Sequence, residues 1–324
     1  EENFVGLGAV KGLEERWAEW KDQSAGGEGE VLTREGLAAD AWQSFAYDIH
    51  EHKMRERAEK EQAGELHRYR ALRMYLTGTA GTGKSRTIRA ICGLRRSKVL
   101  MEGASEQAVR DACVLAAPTG CASFQMKFGA TTLHKAFGIG IYYTGPTRDR
   151  QSMKFQRRLR RLRAASLIVM DEFSMIGRQM LGKIVYKFDD TLGGDRPDVG
   201  LRKTLGGKDC MMAGDPKQAK CVGDEAHQKD GPYKREGLNM PRDENGRIKQ
   251  PPPGSKDMAE LVAMGVAFRQ EFDDVVVLQT RHRLVDEKDA QAVEDMVVLD
   301  GSTPQDAAAL RAEFEADGRR FAEV

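Results

Sequence analysis

No run of apolar residues in this chain approaches the ~18 needed for a membrane-spanning helix. No basic-then-apolar leader opens it. The first residue is Glu1 rather than Met, which reads as a fragment or a processed product. Charge of one sign is also lacking: the formal net charge is +1, so any nucleic-acid surface must come from local clustering. The cysteines Cys92, Cys113, Cys121, Cys210 and Cys221 contain no C-x-x-C pair, so neither a zinc site nor a redox pair is indicated. Scattered free thiols suit a reducing intracellular compartment. His50 and His52 flank Glu51 without a further ligand set, so no metal site is expected there. No internal repeat is found.

What remains is a soluble globular composition, 40% hydrophobic and 31% charged over 324 residues. Residues 1–35 read as an N-terminal extension or linker, in which Trp17 and Trp20 precede a Gly-rich break at 24–29. Residues from Thr33 to about Leu66 have a helical pattern. Five short strands are then expected: Leu72–Leu76, Cys113–Ala117, Ser166–Met170, Asp209–Ala213 and Val275–Leu278. A helix is expected over Ser85–Leu94, with Ile88, Ile91 and Cys92 on one face. The strand at 166–170 is apolar on both faces, as a buried parallel strand requires. This alternation argues for an α/β fold, a parallel sheet with helices on both faces. Segments 140–160, Asp189–Lys208 and Gly223–Lys256 read as irregular.

The chemistry begins at Gly78-Thr79-Ala80-Gly81-Thr82-Gly83-Lys84-Ser85, which fits G-x-x-x-x-G-K-[ST] between a strand and a helix. Glycines let the backbone fold its N–H groups around phosphates. The helix N-terminus adds a favourable field for negative charge. Lys84 is placed to reach the β- and γ-phosphates of ATP, and Ser85 to hold Mg²⁺. Asp171 and Glu172 end an apolar strand. Asp171 suits the metal, and Glu172 suits orientation and deprotonation of the attacking water. Gln218, in Gly214-Asp215-Pro216-Lys217-Gln218, suits a γ-phosphate contact just past a strand. Read alone, that last segment also suits a plain Gly-Asp-Pro turn, the less favoured reading.

Taken in order, seven short elements resemble a superfamily 1 DNA helicase of the PIF (petite integration frequency) family, including the Helitron type. They are Ala41-Trp42-Gln43-Ser44-Phe45-Ala46, the 78–85 loop, Ala117-Pro118-Thr119-Gly120-Cys121-Ala122, Thr131-Thr132-Leu133-His134-Lys135-Ala136-Phe137, Asp171-Glu172-Phe173-Ser174-Met175, Gly214–Gln218, and Leu278-Gln279-Thr280-Arg281-His282-Arg283. The resemblance implies a P-loop NTPase with a RecA-like first domain over residues 36–268 and the start of a second RecA-like domain over 269–324. It implies that Gln43 reads adenine and that Arg283 is an arginine finger, with Arg281 as its competitor. It implies ATP and Mg²⁺ as cofactors and single-stranded DNA and duplex junctions as partners, with no membrane. Single-strand contacts would come from Thr119, Gly120, Thr132, His134 and Phe137. His134 also suits a satisfied, partly buried histidine, and Phe137 suits the core even better.

By the same resemblance the complete protein would be an ATP hydrolase that translocates 5′-to-3′ and unwinds duplex. Its settings would be DNA repair, recombination and telomere maintenance, in a nucleus or mitochondrion if the source is eukaryotic. Two departures stand out. Ala219-Lys220-Cys221-Val222 replaces the family's Leu-Pro-Pro-Val, and the late S-Q-G and A-L-S-R signatures have no counterpart. That second departure reads as C-terminal truncation. It keeps open a non-motor module that binds ATP or DNA without unwinding. A P-loop ATPase of another lineage is a third reading, opposed by the D-E-F-S-M element. Finally, Arg148–Arg163 holds Arg148, Arg150, Lys154, Arg157, Arg158, Arg160, Arg161 and Arg163. It reads as a solvated amphipathic helix with Met153, Leu159 and Leu162 as its buried stripe, or as a phosphate-binding helix.

Overall fold

A computed structural model describes residues 34–141, 143–193, 204–218 and 253–282, with Cys221, Asp224 and Glu244 as isolated positions. Strands β1 (Arg73–Thr77), β2 (Cys113–Ala117), β3 (Thr131–Thr132), β4 (Leu167–Met170), β5 (Asp209–Gly214) and β6 (Asp274–Val277) form one sheet in the order β3-β2-β4-β5-β1-β6. Every pairing is parallel. Parallel strands need crossovers, and the intervening helices supply them. These are α1 (Ala41–Gln62), α2 (Lys84–Met101), α3 (Glu106–Asp111), α4 (Gly120–Met126), α5 (Leu133–Phe137), α6 (Met153–Ala164), α7 (Arg178–Leu192) and α8 (Met258–Arg269).

The sheet is buried on both faces because its strands alternate apolar side chains in both directions. Leu167 and Val169 of β4 point into one core cluster with Met74, Leu76, Ile88 and Ile91. Ile168 and Met170 point into the other with Phe137, Leu162, Leu181 and Phe188. Each such side chain contributes about 1.5–3 kcal/mol when fully buried. On the second face, α7 and α8 approach until a Cβ on Gly182 would lie 1.6 Å from the Leu261 carbonyl oxygen. Only glycine fits that crossing.

Charge is buried as well as apolar surface. Arg95 on α2 and Asp209 at the start of β5 pair at 2.6 Å with side chains 2% and 0% exposed. Tyr69 Oη and the Leu72 N–H donate to the same carboxylate. His50 on α1 faces Arg95 through Nδ1. This network joins α1, α2, β5 and the segment before β1.

Several expectations need correction. Asp189–Lys208 is not irregular throughout, because α7 runs to Leu192 with Phe188 and Leu192 buried; residues 194–203 lie outside the described set. Within 140–160, residues from Met153 are helical. The buried stripe of α6 is Phe155, Leu162 and the partly buried Leu159, whereas Met153 is 69% exposed. The expected boundary after residue 268 cuts through a single sheet: β6 pairs with β1, with Tyr75 opposite Val275. Residues 283–324, most of the expected second domain, and residues 1–33 of the expected linker lie outside the described residues. So does most of the 223–256 loop.

Candidate active site

All six strands point their C-terminal ends to one edge, the edge where ligands bind in open α/β sheets. That edge brings the sequence motifs together. β1 delivers Gly78–Gly83, β4 delivers Asp171 and Glu172, β5 delivers Asp215–Gln218, and β6 delivers Leu278–His282. The loop strand β1 and the acid strand β4 are separated only by β5.

The phosphate loop wraps onto the first turn of α2. Gly81 and Gly83 adopt φ of 85° and 88°. A Cβ on Gly83 would stand 2.3 Å from Gln43 Nε2, so this glycine is required both by conformation and by contact. Thr82 Oγ1 donates to the Thr79 carbonyl at 2.9 Å, closing the loop on itself. Lys84 Nζ donates to Gly78 O at 2.6 Å and to Thr79 O at 3.0 Å. Ser85 lies exposed at the start of α2.

Across from the loop, Asp171 follows the buried strand β4, and its N–H donates to Ala116 O at 2.9 Å. Burial pushes its carboxyl up to about 6, helped by the charge of Glu172 and opposed by a backbone hydrogen bond and by Lys84. Burial likewise raises Glu172, with Lys84 opposing and Asp215 adding to the rise. Glu172 holds φ 53°, a left-handed conformation that costs a non-glycine residue on the order of 1 kcal/mol. Strain of this kind is tolerated where a side chain must be aimed. Asp215 is buried and accepts the Lys217 N–H at 2.9 Å, and Gln218 N–H donates to Asp215 O at 3.2 Å. A cavity of about 240 Å³ opens between Thr77–Thr79, Asp215–Lys217 and Val277–Arg281.

Gln43 is 2% exposed, and its amide nitrogen lies 3.2 Å from Thr82 O and 3.3 Å from Asp40 Oδ2. It braces the loop. Asp40 is the N-cap of α1, accepting from the Trp42 and Gln43 N–H groups. His282 Nε2 stands 2.9 Å from Asp40 Oδ2 and 3.0 Å from Gln43 Nε2, and the His282 backbone N–H donates to Gly81 O at 3.0 Å. Burial alone would raise the Asp40 carboxyl, yet hydrogen bonds from His282, Gln43 and Trp42 hold it below its usual value. Sequence reasoning missed Asp40 and His282. An Asp just ahead of a helical pattern is a readable cap signal; His282 carries no comparable signal. Arg281 lines the cavity beside the loop. Arg283 lies outside the described residues.

The expected DNA residues share the same edge on the neighbouring strands. Ala117 of β2 is in register with Thr132 of β3. Thr119 and Thr132 are N-caps of α4 and α5, their hydroxyls accepting from Ala122 and Lys135 N–H groups. Gly120 is exposed, and His134 is half-buried, its imidazole held below the usual range by burial and by Lys183. Phe137 is 0% exposed within the core, so it supports the strand edge and offers no stacking face.

A family model described as PIF1-like helicase matches residues 57–232, more than half the chain. The match covers the phosphate loop, Thr119, Thr132, Asp171, Glu172 and Gln218; Gln43 and Arg283 fall outside it. No curated protein matches the chain. Among solved structures, the chain is similar to Bacteroides Pif1 bound to ssDNA (19% identity, TM-score 0.45, covering 78% of this chain and 48% of that one). It is similar to Pif1 helicase from Candida albicans (19%, 0.44, 74% and 43%). A third is Bacteroides Pif1 in complex with ADP-AlF3 and ssDNA (20%, 0.43, 74% and 45%). The chain thus spans about half or less of the length of these structures.

Proposed function

Because this chain belongs to the family of PIF1-like helicases, we propose that it carries the nucleotide-binding half of a motor that couples ATP hydrolysis to 5′-to-3′ movement on single-stranded DNA and to duplex unwinding. The observation that carries this reading is the convergence of Lys84, Asp171, Glu172 and the Gln218 turn on one edge of the sheet. Lys84 offers positive charge to the phosphates. Glu172, whose carboxyl pKa burial raises above its ordinary value, is as a carboxylate the better base for taking a proton from an attacking water. Positioning and charge stabilisation then supply catalysis. Nucleotide and single-stranded DNA bound to the Bacteroides relative are in keeping with this assignment.

The residues fit a magnesium ion. Asp171 is a carboxylate whose charged form burial disfavours, a penalty that a cation offsets. Asp171 and the Ser85 hydroxyl would hold the ion, which neutralises charge on the phosphates when bound. Thr119, Gly120, Thr132 and His134 line the path proposed for the strand. Roles in repair, recombination or telomere maintenance, and a nuclear or mitochondrial location, follow from the family alone.

The test is an ATPase assay with and without single-stranded DNA, followed by strand displacement on 5′- and 3′-tailed duplexes. We expect DNA-stimulated hydrolysis that Lys84→Ala abolishes, and displacement from the 5′ tail only. Stimulated hydrolysis without displacement would favour a non-motor module. Nucleotide binding with no hydrolysis would refute the catalytic assignment.

A further inference from the structure

The basic segment around α6 contains more than a charged face. Its cations divide by partner. Arg160 pairs with Asp111 at 3.4 Å, Arg161 donates to Gly129 O at 3.3 Å, and Arg150 donates to Asp190. Lys154 and Arg158 instead line a cavity of about 340 Å³, together with Lys187 of α7 and Thr144. Among the described residues that line it, Lys154, Arg158 and Lys187 face one acidic side chain, Asp149.

Two of its polar groups are unsatisfied. Thr144 is 2% exposed, and its buried Oγ1 has no hydrogen-bond partner among the described residues. Arg158 is half-buried, with its guanidinium 5.3 Å from the Phe155 ring centroid and its buried Nε unpartnered among the described residues. A buried donor without a partner costs stability, so each such group calls for an explanation. Lys187 differs: it already donates to Gly145 O, Thr147 Oγ1 and Asp190 Oδ2. Its charge is paired with Asp190, which leaves its neighbours to do the binding. Burial also works against the charge on Arg158, and the Asp190 carboxylate opposes that effect.

We infer that this cavity binds a phosphate group, with Arg158, Lys154 and the Thr144 hydroxyl as its donors. A hydroxyl beside a guanidinium suits tetrahedral oxyanions, and Arg158 offers several N–H groups in a fixed plane. One source of the phosphate is the DNA backbone. Gly138, at the rim, closes α5, whose five residues span only ~7.5 Å from Thr132 at the proposed strand path. The other source is free phosphate or a nucleotide. The DNA source rests on the function proposed above; the phosphate chemistry does not.

The experiment uses the full chain and three single variants, Arg158→Gln, Lys154→Gln and Arg157→Gln. Arg157 is exposed on the same helix and lies outside the cavity, so it controls for bulk charge. One arm measures the salt dependence of single-stranded DNA binding by anisotropy. The other measures inorganic phosphate binding by calorimetry. With DNA as the source, Arg158→Gln and Lys154→Gln each lower the slope of log K against log salt by about 0.7, the value for one phosphate of a single strand. Arg157→Gln leaves that slope near wild type. With a free phosphate as the source, the DNA slopes stay equal while phosphate binding weakens at least tenfold in the two cavity variants alone. If the chain binds no DNA, the phosphate arm still decides. Equal behaviour of all three variants in both arms overturns the assignment. Lys154 is exposed, so its variant keeps the test valid should Arg158→Gln fail to fold.

Discussion

Replacing Gly83 by alanine tests the central geometry of the nucleotide loop, because the substitution adds one methyl group with two separable consequences. The first is conformational. Gly83 holds φ 88°, where an L side chain costs roughly 1–2 kcal/mol. The second is contact. The new Cβ would lie 2.3 Å from Gln43 Nε2, which is buried and bonded to Thr82 O and Asp40. Moving that amide breaks buried hydrogen bonds, a loss of about 1–3 kcal/mol. Together these give a destabilisation of about 2–5 kcal/mol, read from urea unfolding midpoints at constant slope. Gly64→Ala supplies the reference: its φ is 70° and nothing lies within 4 Å of the added Cβ, so it should cost only the conformational part. A double-mutant cycle with Gln43→Ala then isolates the contact. Removing the Gln43 side chain should make Gly83→Ala no more costly than Gly64→Ala. If Gly83→Ala costs the same with and without Gln43, the brace between α1 and the loop is refuted.

Two further outcomes concern the buried charges. Asp209→Asn should cost about 3–5 kcal/mol in the same unfolding assay, because it strands the Arg95 guanidinium at 2% exposure; a loss below 1 kcal/mol would contradict the network. His50 is pushed down to about 3 by burial and by Arg95, so the folded state stays neutral while the unfolded state protonates near 6.5. Acid therefore removes stability from about pH 6.5 downward at roughly 1.4 kcal/mol per pH unit, until the folded imidazole protonates near 3. Asp171, raised to about 6, works the other way below that pH, so the comparison must be with His50→Asn, which keeps an acceptor for Arg95. The variant should lack the histidine slope. Parallel stability–pH curves for the two proteins would refute the assignment.

Much of the site was readable because phosphate chemistry needs particular residues at contiguous spacing. Gly78–Ser85 and Asp171-Glu172 are local patterns, and strands such as Leu167–Met170 declare themselves by being apolar on both faces. The remainder depends on distance in the chain. Asp40 and His282 meet across 242 residues, and Arg95 and Asp209 across 114. Neither pair leaves a periodic trace. Arg95 and Arg96 are buried within a helix, where charge ordinarily marks the exposed face. β3 escaped notice because two residues are too few for any alternation. In α6 the expected Leu159 and Leu162 do belong to the stripe, and Phe155 takes the place expected for Met153, because 155, 159 and 162 share one helical face. Phe137 lay in a motif that resemblance assigns to DNA, and only packing placed it in the core.

The most direct test of the account is the steady-state hydrolysis of ATP by Glu172→Gln, measured beside nucleotide binding in the same preparation. Glu172 sits at the sheet edge opposite Lys84, and the account gives it the proton-transfer step rather than the hold on nucleotide. The predicted result is unchanged ATP affinity with turnover reduced about 10²- to 10⁴-fold, the usual span for losing a positioned general base. Turnover within twofold of wild type would contradict it.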